Sequence, residues 1–238
     1  MYLRNTLYNT FPFVLHCPSC DEEHNDIWER AKNIILKSKY KLKKEYNDIE
    51  IITWNNSEEV SILEKSLSIL GITAVVLGKS IKKWNNRLKI NLTCDYLSST
   101  KKPYILGIDA FDAILIDVPK RIDRDLIFNS TIGSFPERQE FDEYEESICN
   151  SDIFCHLNAG AWFGKREFCI RFFESALNYE DEYTKDYPMS EQAIIRSILP
   201  KHDYVSIDGR CEYFQTLNLK RFYKDQNQYV QLDSFKLF

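Results

Sequence analysis

Two carboxylates, Asp109 and Asp112, interrupt an otherwise apolar run over residues 104–116. A short continuous apolar segment reads as a buried strand. Asp109 ends one such segment, and a second begins just after Asp112. An unpartnered buried carboxylate is costly, so the fold must meet this pair with a cation or with hydrogen-bond donors. In open α/β sheets, ligands collect at the carboxyl ends of the strands. Two hard oxygen ligands at such a place suit a divalent metal carrying a phosphate-bearing substrate.

The surrounding sequence supplies the sheet. Residues 49–54 read as a strand. Asn56, with Glu59 following, has the form of a capping box and opens a helix. Its stripe is Val60, Leu63, Leu67 and Leu70, and Gly71 stops it. Residues 72–78 read as the next strand, and 86–98 as a helix with Leu88, Leu92 and Tyr96 inward. The order β-α-β-α-β predicts an α/β fold with a doubly wound, mostly parallel sheet. Residues 118–150 read as loop, with an acidic cluster from Glu137 to Glu146 expected on a solvated surface. Residues 156–164 read as a strand broken by glycines. Residues 166–179 are expected as a helix with Phe168, Phe172 and Leu177 inward. Ser190 caps a short helix that Pro200 stops, and 205–208 form a short strand. Ahead of the sheet, Asn25 or Asp26 caps a helix with Ile27, Ala31, Ile34, Ile35 and Leu42 on one face. It runs into a basic, solvated stretch, 37–44. These elements divide the chain into an N-terminal extension (1–48), a sheet domain (49–218) and an aromatic-rich tail (219–238).

At 238 residues, with 44% hydrophobic and 28% charged residues, the chain can bury a proper core. A net charge of −5 argues against broad nucleic-acid binding. No apolar run reaches membrane-spanning length. The apolar patch 11–15, broken off by His16, makes a poor signal peptide. Seven cysteines, an odd count, read as reduced thiols, and a cytoplasmic location is the expectation. The sequons at Asn55, Asn91 and Asn129 then carry no weight. His16-Cys17-Pro18-Ser19-Cys20, with His24, has soft-ligand spacing. The second half of a usual zinc site is compressed here, and a redox pair would want a helix starting directly after Cys17.

Several segments in order carry a resemblance. Val75-Val76-Leu77-Gly78 followed by Trp84 resembles a "VLG…W" element. Asp109-Ala110-Phe111-Asp112 resembles "DSYD", and residues 157–164 resemble "LNSGGFIG". Glu191-Gln192 resembles "DDQ", and residues 207–218 resemble "LDxxCxIFQNLN". Together they are similar to the glycosyltransferase domain of the procollagen lysyl hydroxylase/glycosyltransferase family, a GT-A fold. The resemblance implies transfer of a sugar from a nucleotide-sugar, a UDP-sugar by preference, with Mn²⁺ or Mg²⁺. The acceptor would be a glycan, a lipid-linked sugar or a protein. It implies that Asp109 and Asp112 bind metal and that Phe111 lies near the uracil or ribose. Thr53, Trp54 and Lys89 would touch the nucleotide-sugar, and Asn158, Glu191 and Gln192 would lie near the transferred sugar. There are departures. The acidic run before the Gln is reduced to Glu191. The family takes a later metal ligand from a "HGNG" segment, and this chain has no His after His202. A third ligand must come from elsewhere or be missing.

The chemistry asks for such residues. Charge builds on a diphosphate as the glycosidic bond breaks, and a metal held by two carboxylates neutralises it. An inverting enzyme also needs a carboxylate base on the acceptor hydroxyl. Glu191 and Asp208 are both candidates. Plainer readings stand beside these. Asp109 and Asp112 can be a loop pair at a strand end. Asn158 can satisfy backbone groups in a glycine turn. Glu191 can be an ordinary first-turn acid, and Lys89 a solvated helix lysine. Trp84 and Trp162 read as core or pocket walls. Rival functions are a nucleotidyltransferase, which would bring a Gly-rich phosphate loop after the first strand, and a non-catalytic sugar-binding relative.

Overall fold

The computed structural model describes residues 2–18, 22–37, 48–119, 122–217 and 235–237. Its centre is a six-stranded sheet in the order β4-β3-β5-β8-β7-β9. These strands are β3 (Ile49–Trp54), β4 (Val75–Leu77), β5 (Tyr104–Asp109), β7 (Leu126–Thr131), β8 (His156–Lys165) and β9 (Val205–Ile207). The pairings β3–β4, β3–β5 and β7–β9 are parallel, while β8 runs antiparallel to both neighbours. The expected β-α-β-α-β unit is present as β3, α2 (Ile62–Leu70), β4, α3 (Leu88–Ser99) and β5.

Successive strand residues point to opposite faces, and the core divides accordingly. Ile52, Ile105, Phe128 and Trp162 face α3, α5 (Arg166–Leu177) and α7 (Glu191–Ile198). Ile51, Leu106, Ile127 and Phe163 face α2 and a second, three-stranded sheet. That small sheet has the order β10-β2-β6, from β2 (Val14–His16), β6 (Ala113–Leu115) and β10 (Phe214–Thr216). Its middle strand comes from the N-terminal extension, so the extension is built into the fold. Helix α1 (Glu22–Leu36) packs Trp28, Ala31 and Ile35 against the small sheet, while Ile34 stays 45% exposed. The Ile27 side chain and residues 38–44, Leu42 among them, lie outside the described residues. The tail contributes β11 (Phe235–Leu237), which pairs antiparallel with β1 (Leu3–Asn5). Among the described residues no helix is long and apolar enough to cross a membrane.

Four local expectations are corrected. The α2 capping box is Ser61/Glu64, not Asn56/Glu59. Asn55 delays the helix: its side chain accepts from Ser57 N and donates to the Glu59 carbonyl, folding residues 55–60 into a turn. Val60 is therefore 56% exposed, while Gly71 does end the helix, at φ 76°. Residues 118–150 are not loop, since they hold the buried β7 and helix α4 (Gln139–Ile148). The polar half of β7, Asn129-Ser130-Thr131, hides it from an apolar-run criterion. On α3 the buried positions are Ile90, Thr93 and Leu97, a face turned from the one expected. The glycines do not end β8: its pairing with β7 skips residues 159–161 around Gly160, while His16 closes over Gly160 and Cys169 over Gly164.

Candidate metal centre

Asp109 closes β5, and β6 begins at Ala113, so the two acids flank a tight connection. Two outside donors hold it. Leu63 N, at the start of α2, donates to the Ala110 carbonyl at 3.1 Å, and Cys17 N donates to the Asp112 carbonyl at 2.7 Å. The second bond follows from β2 lying against β6, with His16 opposite Ala113. This register delivers His16 to the acids. Its Nε2 lies 3.4 Å from Asp112 Oδ2. One ligand atom each from His16, Asp109 and Asp112 fall within 4.8 Å of one another, so the three can hold a metal ion.

Two features show that the cluster fits a cation. His16 is buried, and its Nε2 has no hydrogen-bond partner. A buried orphan polar atom needs such an explanation. Secondly, Gly160 of β8 leaves the space. A methyl there would sit 2.4 Å from His16 Cε1, 2.8 Å from Nε2 and 2.9 Å from Asp109 Oδ2. Only a glycine lets the imidazole and the carboxylate close in on this side.

Lys89, from the first turn of α3, donates to Asp109 Oδ1 at 2.6 Å and to Glu191 Oε1 at 2.9 Å. It also lies 5.6 Å from the Trp54 ring centroid, a cation–π distance. It is not a solvated helix lysine, and Glu191 is more than a helix-end acid. Asp109, Asp112 and Glu191 thus face one lysine, leaving a negative excess that a divalent ion would offset. Burial pushes the Asp109 carboxyl up to about 6, with Asp112 and Glu191 adding to the rise against Lys89. Lys89 is held above its usual range, its two carboxylates outweighing burial.

The remaining expected residues divide. Phe111, at the tip of the connection, is 52% exposed beside the half-buried acids. The Trp54 indole Nε1 is buried without a partner. Asn158 Oδ1 accepts from Gly160 N at 2.9 Å, and Gln192 Oε1 accepts from Ala159 N at 3.0 Å. The pair therefore frames the glycine under His16. Thr53 is corrected: it is fully buried, and its hydroxyl donates to the Ile108 carbonyl at 2.7 Å, tying β3 to β5. It presents no face to a ligand. Asp208 is corrected too. Burial pushes its carboxyl up to about 7, a value that suits a base, but geometry ranks before titration. Its two oxygens accept from the backbone N–H groups of Glu212, Tyr213 and Phe214, all at 2.8 Å. It is the clasp of the loop leading into β10.

A second group, Asp142, Glu145 and His156, also has metal-like spacing. Its cation is already present. The buried Arg196 guanidinium of α7 donates to both Glu145 oxygens, at 2.7 and 2.9 Å, and to Asp142 at 2.5 Å. Most acids of the segment, Glu137, Glu140, Glu143 and Glu146, are solvated as expected, but Glu145 is fully buried and is the exception. Of the zinc-like spacing, Cys20 and the His24 side chain lie outside the described residues, and His16 turns to the acids instead. Cys17, Cys94, Cys149, Cys155, Cys169 and Cys211 are thiols rather than disulfides.

Sequence reasoning missed His16 as a partner of the acids. The available signal was a titratable residue ending the apolar patch 11–15, the same form that singled out Asp109. The chain matches no protein-family model and no curated protein, so the geometry of this centre carries the functional argument.

Proposed function

We propose that this chain is a metal-dependent glycosyltransferase that uses a nucleotide-sugar, with His16, Asp109 and Asp112 holding Mn²⁺ or Mg²⁺. The observation that carries the reading is the convergence of these three side chains at the carboxyl end of β5, with an orphan nitrogen and an excess of negative charge. Held by His16, Asp109 and Asp112, a divalent ion would supply positive charge against a departing diphosphate. The chain's own residues do the rest. Lys89 fixes the rotamers of Asp109 and Glu191 and adds a positive charge beside the phosphates. Phe111 offers its exposed ring to the base or ribose. Trp54, itself buried, backs Lys89 with the face of its ring. Asn158 and Gln192 set the floor beneath the sugar. Glu191 is the remaining carboxylate to take a proton from the acceptor hydroxyl.

The nucleotidyltransferase reading is weaker, because Trp54-Asn55-Asn56 after β3 offers no Gly-rich phosphate loop. The non-catalytic reading leaned on a missing third ligand, and His16 supplies a candidate. The test is hydrolysis of a panel of UDP-sugars with Mn²⁺, followed by acceptor screening. One donor should turn over, and Asp109→Asn should lower that rate about a hundredfold or more. Full activity in Asp109→Asn would sink the reading.

A further inference from the structure

The His16 ring poses a question of protons. Its Nδ1 lies 2.9 Å from Asn129 Nδ2. A neutral imidazole carries a single N–H. If Asn129 donates to Nδ1, the ring proton falls on Nε2, the atom that faces Asp112. A protonated Nε2 has no lone pair for a metal.

Thr216 settles which way the amide is turned. Its Oγ1 lies 2.6 Å from the Ser130 carbonyl and 2.9 Å from Asn129 Oδ1. A hydroxyl has one proton to give. The carbonyl has none of its own, so the shorter contact takes it. The contact to Asn129 then opposes two oxygens with no proton between them. A half-turn of the Asn129 amide exchanges its oxygen and nitrogen, two atoms alike in size and shape. Afterwards Nδ2 donates to Thr216 Oγ1, and Oδ1 accepts from His16 Nδ1–H. The half-turn also brings the amide oxygen to 3.4 Å from Asn158 Oδ1. That oxygen pair is longer, and so less repulsive, than the 2.9 Å pair it removes. Asn129, Thr216 and His16 are all nearly fully buried, so water does not relax the count. Between Phe128 and Asn129 the pairing skips residues 159–161 of β8, a bulge on that strand beside Asn129.

We propose that Asn129 is a positioning residue: anchored by Thr216, it accepts from His16 Nδ1–H and so leaves Nε2 bare toward Asp109 and Asp112. The inference rests on the metal-centre reading and gives it a built support, since metal-binding histidines commonly donate their other N–H to a fixed acceptor. It also accounts for the orphan Nε2.

The experiment is ¹⁵N NMR of the His16 ring in the metal-free protein, paired with Mn²⁺ titration. The expected ring carries its proton on Nδ1. Asn129→Ala should mix the tautomers and weaken Mn²⁺ binding about 10- to 100-fold. Asn129→Asp, which keeps the acceptor, should restore both the tautomer and most of the affinity. A proton on Nε2 in the wild-type protein overturns the inference. So does an Asn129→Ala variant with unchanged tautomer and affinity. If Asp109→Asn abolishes Mn²⁺ binding while Asn129→Ala does not weaken it, the metal centre stands and the role of Asn129 falls. If the wild-type protein binds no Mn²⁺, the metal-centre reading falls, and the tautomer alone judges Asn129.

Discussion

Two partly buried acidic clusters lie in this molecule, and they differ in who supplies the positive charge. At Asp142 and Glu145 the chain brings its own counter-ion. Arg196 meets the carboxylates with short, charge-assisted bonds and spends another N–H on Ser134 Oγ at 2.9 Å. At Asp109 and Asp112 the only full cation among the described residues is Lys89, and it is shared with Glu191. One cluster is a closed structural joint. The other is short of charge, keeps an orphan nitrogen, and is floored by a glycine. Metal-like spacing alone does not separate them; the hydrogen-bond and charge count does.

Substitutions can break this contrast or sharpen it. The largest effect is expected at the closed joint. Arg196→Met leaves the Glu145 carboxylate buried without a cation, beside a half-buried Asp142, and should cost about 3–5 kcal/mol in denaturant unfolding. Added Mn²⁺ should not restore it; rescue by Mn²⁺ would show the two clusters to be alike. At the open centre the effect should come from the ion. Mn²⁺ at a hundred times its Kd should raise the wild-type unfolding free energy by about 2.7 kcal/mol. Asp109→Asn and Asp112→Asn should lose that gain, and calorimetry with and without Mn²⁺ reads it directly.

Smaller effects sharpen the geometry. Gly160→Ala forces His16 and Asp109 apart, and overpacking of this kind costs about 1–3 kcal/mol. Its Mn²⁺ affinity should fall as well; an unchanged affinity would place the ion elsewhere. Ser61→Ala removes the N-cap of the helix whose first turn braces the Ala110 carbonyl, for about 1 kcal/mol of stability. The smallest effect is a pH dependence in the same cap. Burial alone would raise the Glu64 carboxyl, but hydrogen bonds from Ser61 and Asn55 outweigh it and hold the group below its ordinary value. A depressed carboxyl stabilises the fold above its unfolded value, and that contribution fades as pH falls through the folded value. The stability gap between wild type and Glu64→Gln should therefore close on acidification, and a gap that widens would contradict the assignment.

Much of the sheet was legible because local rules and tertiary packing agreed there. The apolar runs of β3 and β5, the stop at Gly71 and the Ser190 cap of α7 each follow from short-range chemistry. Legibility failed where a residue answers to a distant partner. Asn129-Ser130-Thr131 looks like loop until one sees that Ser130 and Asn129 bond to Asp208 and Thr216. Glu145 of α4 looks solvated like its neighbours until Arg196 is placed beside it.

What the linear chain determined by itself was the pair at Asp109 and Asp112: charges set in apolar sequence demand a partner wherever the strand goes. What only the tertiary structure decided was the partner's identity. His16 lies more than ninety positions before Asp109 in the chain, and it arrives through the register of β2 against β6. Strand pairing is a long-range choice made by the burial of whole faces, and no local spacing records it. The same holds for Asp208, whose acidity is visible in the sequence but whose oxygens accept from the backbone of the loop that leads into β10, the strand paired with β2.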